Sequence, residues 1–125
     1  MKKILIVDDS FAEIQLMEVM LKKAGYWPIA INDPKKVEQM IAMERPNLIL
    51  LDVVMPEKNG FQVCRELKNH ADFSTIPVVM VTSKNTDSDR FWAQKQGADG
   101  FVTKPFTAEQ LLGVVAKFLV PSGGN

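Results

Sequence analysis

Apolar residues along this chain recur in two alternating periods. Ile4-Leu5-Ile6-Val7 is a short unbroken apolar run, as expected of a strand covered on both faces. Over residues 11–24 the spacing becomes helical. Ile14, Met17, Met20, Leu21 and Ala24 share one stripe, Glu18 and Lys22 pair on the outside, and Gly25 stands where the helix should end. A second strand is predicted at 28–31. Asp33-Pro34 then reads as an N-cap followed by proline in the first helical position, and the helix turns Val37, Met40 and Ile41 inward before stopping ahead of Pro46. Residues 48–51 form a third apolar strand. A loop over 52–58 precedes a helix at 59–69 that faces Phe61, Cys64 and Leu67 to the core. The fourth strand is predicted at 77–81, a helix at 86–96 closed by Gly97, and a short fifth strand at 100–103. Thr107-Ala108-Glu109-Gln110 has the form of a capping box and opens a last helix to about residue 119. Residues 121–125 read as a flexible tail.

Five strands alternating with five helices predict an α/β fold, a parallel sheet with helices on both faces, in one domain over residues 1–120 with no output domain. A chain of 125 residues with 46% hydrophobic and 24% charged side chains supports a packed core. Fifteen basic and fifteen acidic residues cancel, which argues against attraction to nucleic acid or an anionic membrane. Cys64 is the sole cysteine, so neither an internal disulfide nor a cysteine-based metal knuckle is available. The opening apolar run meets Asp8 and Asp9 after Val7, too soon for an export signal or a membrane span, and a cytoplasmic location is expected.

In an open α/β sheet, ligands sit beyond the carboxyl ends of the strands. The residues that follow the strands are Asp8 and Asp9 after the first, Asp52 after the third, Thr82 and Ser83 after the fourth, and Lys104-Pro105 after the fifth. Alone, each acid reads as a turn residue and the lysine as solvated. Together, three carboxylates in one cleft repel each other unless a cation compensates, and a hard divalent ion suits them. Lys104 adds a positive charge and Thr82 a hydroxyl, both able to hold phosphoryl oxygens.

These residues resemble the CheY-like receiver family of two-component signalling. The resemblance is carried by Val7-Asp8-Asp9-Ser10, by Leu51-Asp52-Val53-Val54-Met55-Pro56 leading to Gly60, by Val81-Thr82-Ser83, and by Gly97 through Phe101 to Lys104-Pro105-Phe106. It spans essentially the whole chain and implies a (βα)5 sheet in the flavodoxin-like order 2-1-3-4-5. It implies that Asp52 accepts a phosphoryl group from the phosphohistidine of a sensor kinase or phosphotransfer protein, in self-catalysed transfer and autodephosphorylation rather than conventional enzymology. Mg²⁺ (or Mn²⁺) is then expected on Asp9, Asp52 and the backbone carbonyl of Val54, with Asp8 acting mainly through water. Lys104 is expected to pair with Asp52 before reaction, Thr82 and Phe101 to switch, Val54 and Lys84 to tune phosphate lifetime, and Lys104-Pro105 to be cis. The segment Asp89-Arg90-Phe91-Trp92 further resembles the fourth helix of stand-alone PilH-type regulators of twitching motility and phototaxis.

Plainer readings stand beside these. An aromatic such as Phe101 in a short strand is ordinarily core. Of Phe91 and Trp92, neighbours about 100° apart on a helix, one is expected in the core and the other on the output face as a partner anchor. His70 reads as a helix-end surface residue and Cys64 as core. A haloacid-dehalogenase-type phosphatase needs a second acid where Val54 stands, and an FMN binder needs a phosphate loop missing after the first strand. A pseudo-receiver, binding partners without phosphorylation, is the remaining alternative. Neither membrane insertion nor direct nucleic-acid contact is expected, and any transcriptional role should be indirect.

Overall fold

The structure, a computed structural model, describes residues 1–119; the tail expected at 121–125 lies outside the described residues. The elements in chain order are β1 (Lys3–Val7), α1 (Phe11–Lys23), β2 (Trp27–Ile31), a 3₁₀ turn (Pro34–Lys36), α2 (Val37–Glu44), β3 (Leu48–Leu51), α3 (Gly60–Lys68), β4 (Val78–Thr82), α4 (Asp87–Lys95), β5 (Gly100–Thr103) and α5 (Ala108–Ala116). All strand pairs are parallel, in the order β2-β1-β3-β4-β5. The fold class and strand order expected from the sequence are those observed.

Side chains alternate across each strand, and this divides the core in two. Leu5, Val7, Ile49, Leu51, Val78 and Met80 point to one face and meet Val37 and Ile41 of α2, Val63, Cys64 and Leu67 of α3, and Ala93 of α4. Ile4, Ile6, Leu48, Leu50, Val79 and Val81 point to the other, against Ile14, Met17 and Leu21 of α1 and Leu111 and Val115 of α5. Burial on both faces is why β1, β3 and β4 read as unbroken apolar runs.

Helix starts follow the local chemistry. Ser10, Asn59, Thr86 and Thr107 each accept a hydrogen bond from a backbone N–H of the first turn, and Thr86 and Thr107 form capping boxes with Asp89 and Gln110. Gly25 takes φ 92° just after α1, where a side chain would be strained. Several boundaries shift from the sequence reading by a residue or more, three of them for a local reason. Asp33 caps the 3₁₀ turn rather than α2 directly, its side chain accepting from Lys35 N at 2.9 Å. β4 starts after Pro77, which has no N–H to donate to the ladder, and it runs on through Thr82, which pairs with Thr103 of β5, so Thr82 ends the strand instead of following it. α5 ends at Ala116, where a shorter-range bond from Lys117 N to Val114 O (3.1 Å) tightens the last turn.

Candidate functional site

The sheet delivers the polar residues to one edge. Asp8 N donates to Ile31 O (3.2 Å), Asp52 N to Val7 O (3.0 Å) and Lys104 N to Thr82 O (2.9 Å). Each residue is therefore held by the ladder one step beyond its strand. Asp8, Asp52 and Thr82 are buried, while Asp9 is exposed. Asp8, Asp9 and Asp52 each offer one carboxylate oxygen within 4.8 Å of the others. Lys104 Nζ lies 2.7 Å from Asp8 Oδ2 and 3.5 Å from Asp52 Oδ2. The pairing expected with Asp52 is present, but Asp8 is the nearer partner, because one ammonium serves two buried acids. Asp8 Oδ1 accepts from Ser10 N (2.9 Å) and Asp52 Oδ1 from Val54 N (3.3 Å). The Lys104–Pro105 peptide is cis.

The charges are out of balance. Burial holds the Asp52 carboxyl above the usual aspartate value, against the charge of Lys104; Asp8 raises it further, and the Thr82 hydroxyl and Val54 N–H lower it. Burial acts to lower the Lys104 value, but its bond to Asp8 and the charges of Asp52, Asp8 and Glu13 outweigh this and hold it above the ordinary lysine value. Three converging carboxylate donors, two of them buried and sharing one lysine, fit a hard, oxygen-seeking divalent ion. The donor set contains no nitrogen or sulfur ligand that would favour a softer metal.

Gly60 has a role that its place in the sequence motif did not disclose. A Cβ there would lie 2.1 Å from the Asp52 carbonyl oxygen, so only glycine lets the start of α3 close onto the acid-bearing loop. Gly60 N donates to Val53 O (2.9 Å) across the same approach. The clash is between residues eight apart and becomes visible only once the loop is folded.

Around this cleft, Val54 and Lys84 have exposed side chains, and Lys84 N donates to Thr82 Oγ1 (3.2 Å). Phe101 is half-buried against the core. The Arg90 guanidinium sits 4.6 Å from the centre of the Phe101 ring and donates to Thr103 Oγ1 (2.9 Å), a contact no sequence signal indicated. The expectation that either Phe91 or Trp92 enters the core is wrong. They are 58% and 50% exposed, and α4 buries Ala93 instead, followed by its C-cap Gln96. A small residue lets the helix lie close to the sheet, which leaves both aromatics on its outer flanks. Phe101 borders a groove between α4 and β5, and Trp92 one shared with Phe61.

His70 follows the end of α3, its ring stacked on Phe73 at 4.0 Å. Cys64 is fully buried, its Sγ 3.4 Å from Gln96 O. Among the described residues no helix is long and apolar enough to cross a membrane.

Residues 4–116 match the response regulator receiver domain family. Protein PilH of Pseudomonas aeruginosa is 40% identical over 112 residues, covering 90% of this chain and 93% of PilH. The crystal structure of the Vibrio cholerae chemotaxis protein CheY4 superposes with a TM-score of 0.89 at 28% identity, over 95% of this chain and 99% of that one. A receiver domain of a Pseudomonas aeruginosa sensor histidine kinase, described with a magnesium ion coordinated in its active-site cleft, shares the fold with a TM-score of 0.85. It is 23% identical and covers 94% of this chain and 96% of its own.

Proposed function

This chain belongs to the response regulator receiver family, and we propose that it is a phosphorylation switch that accepts a phosphoryl group on Asp52. The observation that carries the reading is Lys104 Nζ standing between Asp8 and Asp52 in a cluster of three carboxylates at the strand ends. A carboxylate oxygen of Asp52 attacks the phosphorus of a phosphohistidine on a partner kinase or phosphotransfer protein. The new O–P bond forms as the P–N bond breaks, and the histidine nitrogen leaves with the electron pair. Asp8, Asp9, Asp52 and the Val54 carbonyl are the groups that would hold Mg²⁺, which when bound offsets negative charge on the phosphoryl oxygens.

Lys104 exchanges its contact with Asp52 for a phosphoryl oxygen, and the buried Thr82 hydroxyl donates to another. The acyl phosphate carries about two negative charges near neutral pH where the carboxylate carried one, so the site gains about one, which tips a balance that already sets one lysine against three acids. Thr82 and Phe101 then carry the change to the α4–β5–α5 face, where partner binding is altered. Val54 and Lys84, at the mouth of the cleft, tune access of the hydrolytic water. The likeness to PilH and to a chemotaxis protein supports a place in motility or taxis signalling, with the chain working in the cytoplasm.

The test is incubation with Mg²⁺ and a small phosphodonor such as acetyl phosphate, followed by intact-mass measurement. The wild type is expected to gain one phosphoryl group and Asp52→Asn none. Beryllofluoride, which mimics the acyl phosphate without turnover, should shift the spectra of the wild type alone. If neither phosphodonor nor beryllofluoride changes the wild type, the phosphorylation-independent binding module replaces this reading.

A further inference from the structure

Between α3 and α4 lies an open groove of about 500 Å³, lined by Phe61, Asp87, Ser88, Asp89, Phe91 and Trp92. It adjoins the groove bordered by Phe101, sharing Asp87 and Phe91 with it, and its volume is within the range that binds a side chain or small ligand. Two of its walls are the exposed rings of Phe91 and Trp92, and such an aromatic surface marks a contact site. The aromatics of this region attract cations from within the chain. Lys95 Nζ lies 5.3 Å from the Phe91 ring centre, and the Arg90 guanidinium 4.6 Å from that of Phe101. Among the described residues no cation covers Trp92, and the Asp87 carboxylate has no ion-pair partner.

Asp89 is committed on one oxygen only. Its Oδ2 accepts from Thr86 N (3.1 Å) and from Thr86 Oγ1 (2.8 Å). The bond from the Thr86 hydroxyl holds Asp89 below the usual aspartate value; slight burial opposes this, while the Thr86 N–H and the charge of Lys84 add to it. Lys95 thus serves the Phe91 wall and Lys84 acts on Asp89, while among the described residues the Trp92 ring and the Asp87 carboxylate are left without a cation.

We propose that this α3–α4 groove docks an arginine-bearing segment of a protein partner. A guanidinium is planar, stacks on an indole face and presents its N–H groups to carboxylates at the ring's edge. An ammonium would satisfy the acids but stack less well, and an acidic or wholly apolar segment would leave Asp87 facing like charge or without water. Both acids lie in the first turn of α4, where they also answer the positive end of the helix dipole. This docking does not require phosphorylation of Asp52, so it stands or falls separately from the switch.

The test is an NMR titration of the full chain, saturated with Mg²⁺ so that the acidic cleft does not capture the probe. The probe is N-acetyl-Gly-Arg-Gly-amide, compared with its uncharged citrulline counterpart. The arginine peptide is expected to move the Trp92 indole resonance and the amides of Phe61 and Asp87, and to bind about threefold more tightly than citrulline. Trp92→Ala and Asp87→Asn should each weaken it about threefold, and Trp92→Phe should retain most of the binding. Equal binding of the two peptides, shifts confined to Asp8, Asp9 and Asp52, or indifference to Trp92→Ala would overturn the proposal. Failure here would leave the phosphoryl-mass measurement unaffected, and the two ideas are thereby separable.

Discussion

Burial and the neighbouring Asp8 both disfavour the charged form of Asp52, and Lys104 compensates only in part because it is shared. The folded carboxyl titrates above its unfolded value, so its contribution has a definite sign. Below the unfolded aspartate value both states are protonated and nothing is lost. As pH rises from there through the raised folded value, the ion-free fold loses stability. Asp52→Asn removes that loss. Thermal melts in chelator should show the variant melting a few degrees above the wild type near neutral pH. The advantage should shrink as the pH falls toward the ordinary aspartate value; a constant difference at all pH values would contradict the cause. Cys64 gives a second test at this scale. Burial pushes its thiol up to about 11, so it should stay unreactive to a thiol reagent near neutral pH until the chain unfolds.

At the scale of elements, the two capping boxes differ in one atom type and should differ in their response to acid. Thr86 is paired with a carboxylate, Asp89, and Thr107 with an amide, Gln110. Asp89 is held below its ordinary value by the Thr86 hydroxyl, slight burial working against it, and the Thr86 N–H and Lys84 helping. Its help to α4 is complete above the unfolded aspartate value and is lost as pH falls through the folded one. Amide exchange at Thr86 should therefore quicken in acid relative to Thr107, whose box carries no titratable group; parallel behaviour would refute the assignment. Both boxes lie at helix starts that the apolar period had already located. The Thr107 box was legible because Gln110 stands three residues on. The exposure of Phe91 and Trp92 was not legible, because α4 packs through Ala93 and its C-cap Gln96, and a hydrophobic count gives neither of those two much weight. The same limit applies to Gly60: its necessity comes from the Asp52 carbonyl 2.1 Å away from an added Cβ, a contact made by the fold. We expect Gly60→Ala to cost about 1–3 kcal/mol in chemical denaturation and to slow phosphorylation of Asp52 by displacing its loop.

For the whole molecule, the parallel sheet gathers like charge at one edge, and what offsets that charge should govern global stability. Asp8, Asp9, Asp52 and Lys104 were legible because they are charged residues at the ends of predicted strands, whereas the sharing of Lys104 needed the distances. With Lys104 replaced by methionine, Asp8 and Asp52 remain buried without a cation, and the ion-free protein should lose about 3 kcal/mol. Mg²⁺ would then have no competitor for those oxygens. A ligand that binds only the folded state adds about 2.7 kcal/mol at a hundredfold excess over its dissociation constant. At a fixed Mg²⁺ concentration, Lys104→Met should therefore gain more stability than the wild type, because its affinity for the ion rises. Asp9→Asn, which removes an exposed donor and leaves the buried pair with Lys104 intact, should gain less than the wild type while losing little in chelator. Urea titrations of the three proteins with and without Mg²⁺ measure both quantities. If Mg²⁺ raised all three stabilities equally, the ion would be acting elsewhere on the surface. If Lys104→Met gained least, the lysine would be organising the carboxylates for the ion rather than competing with it.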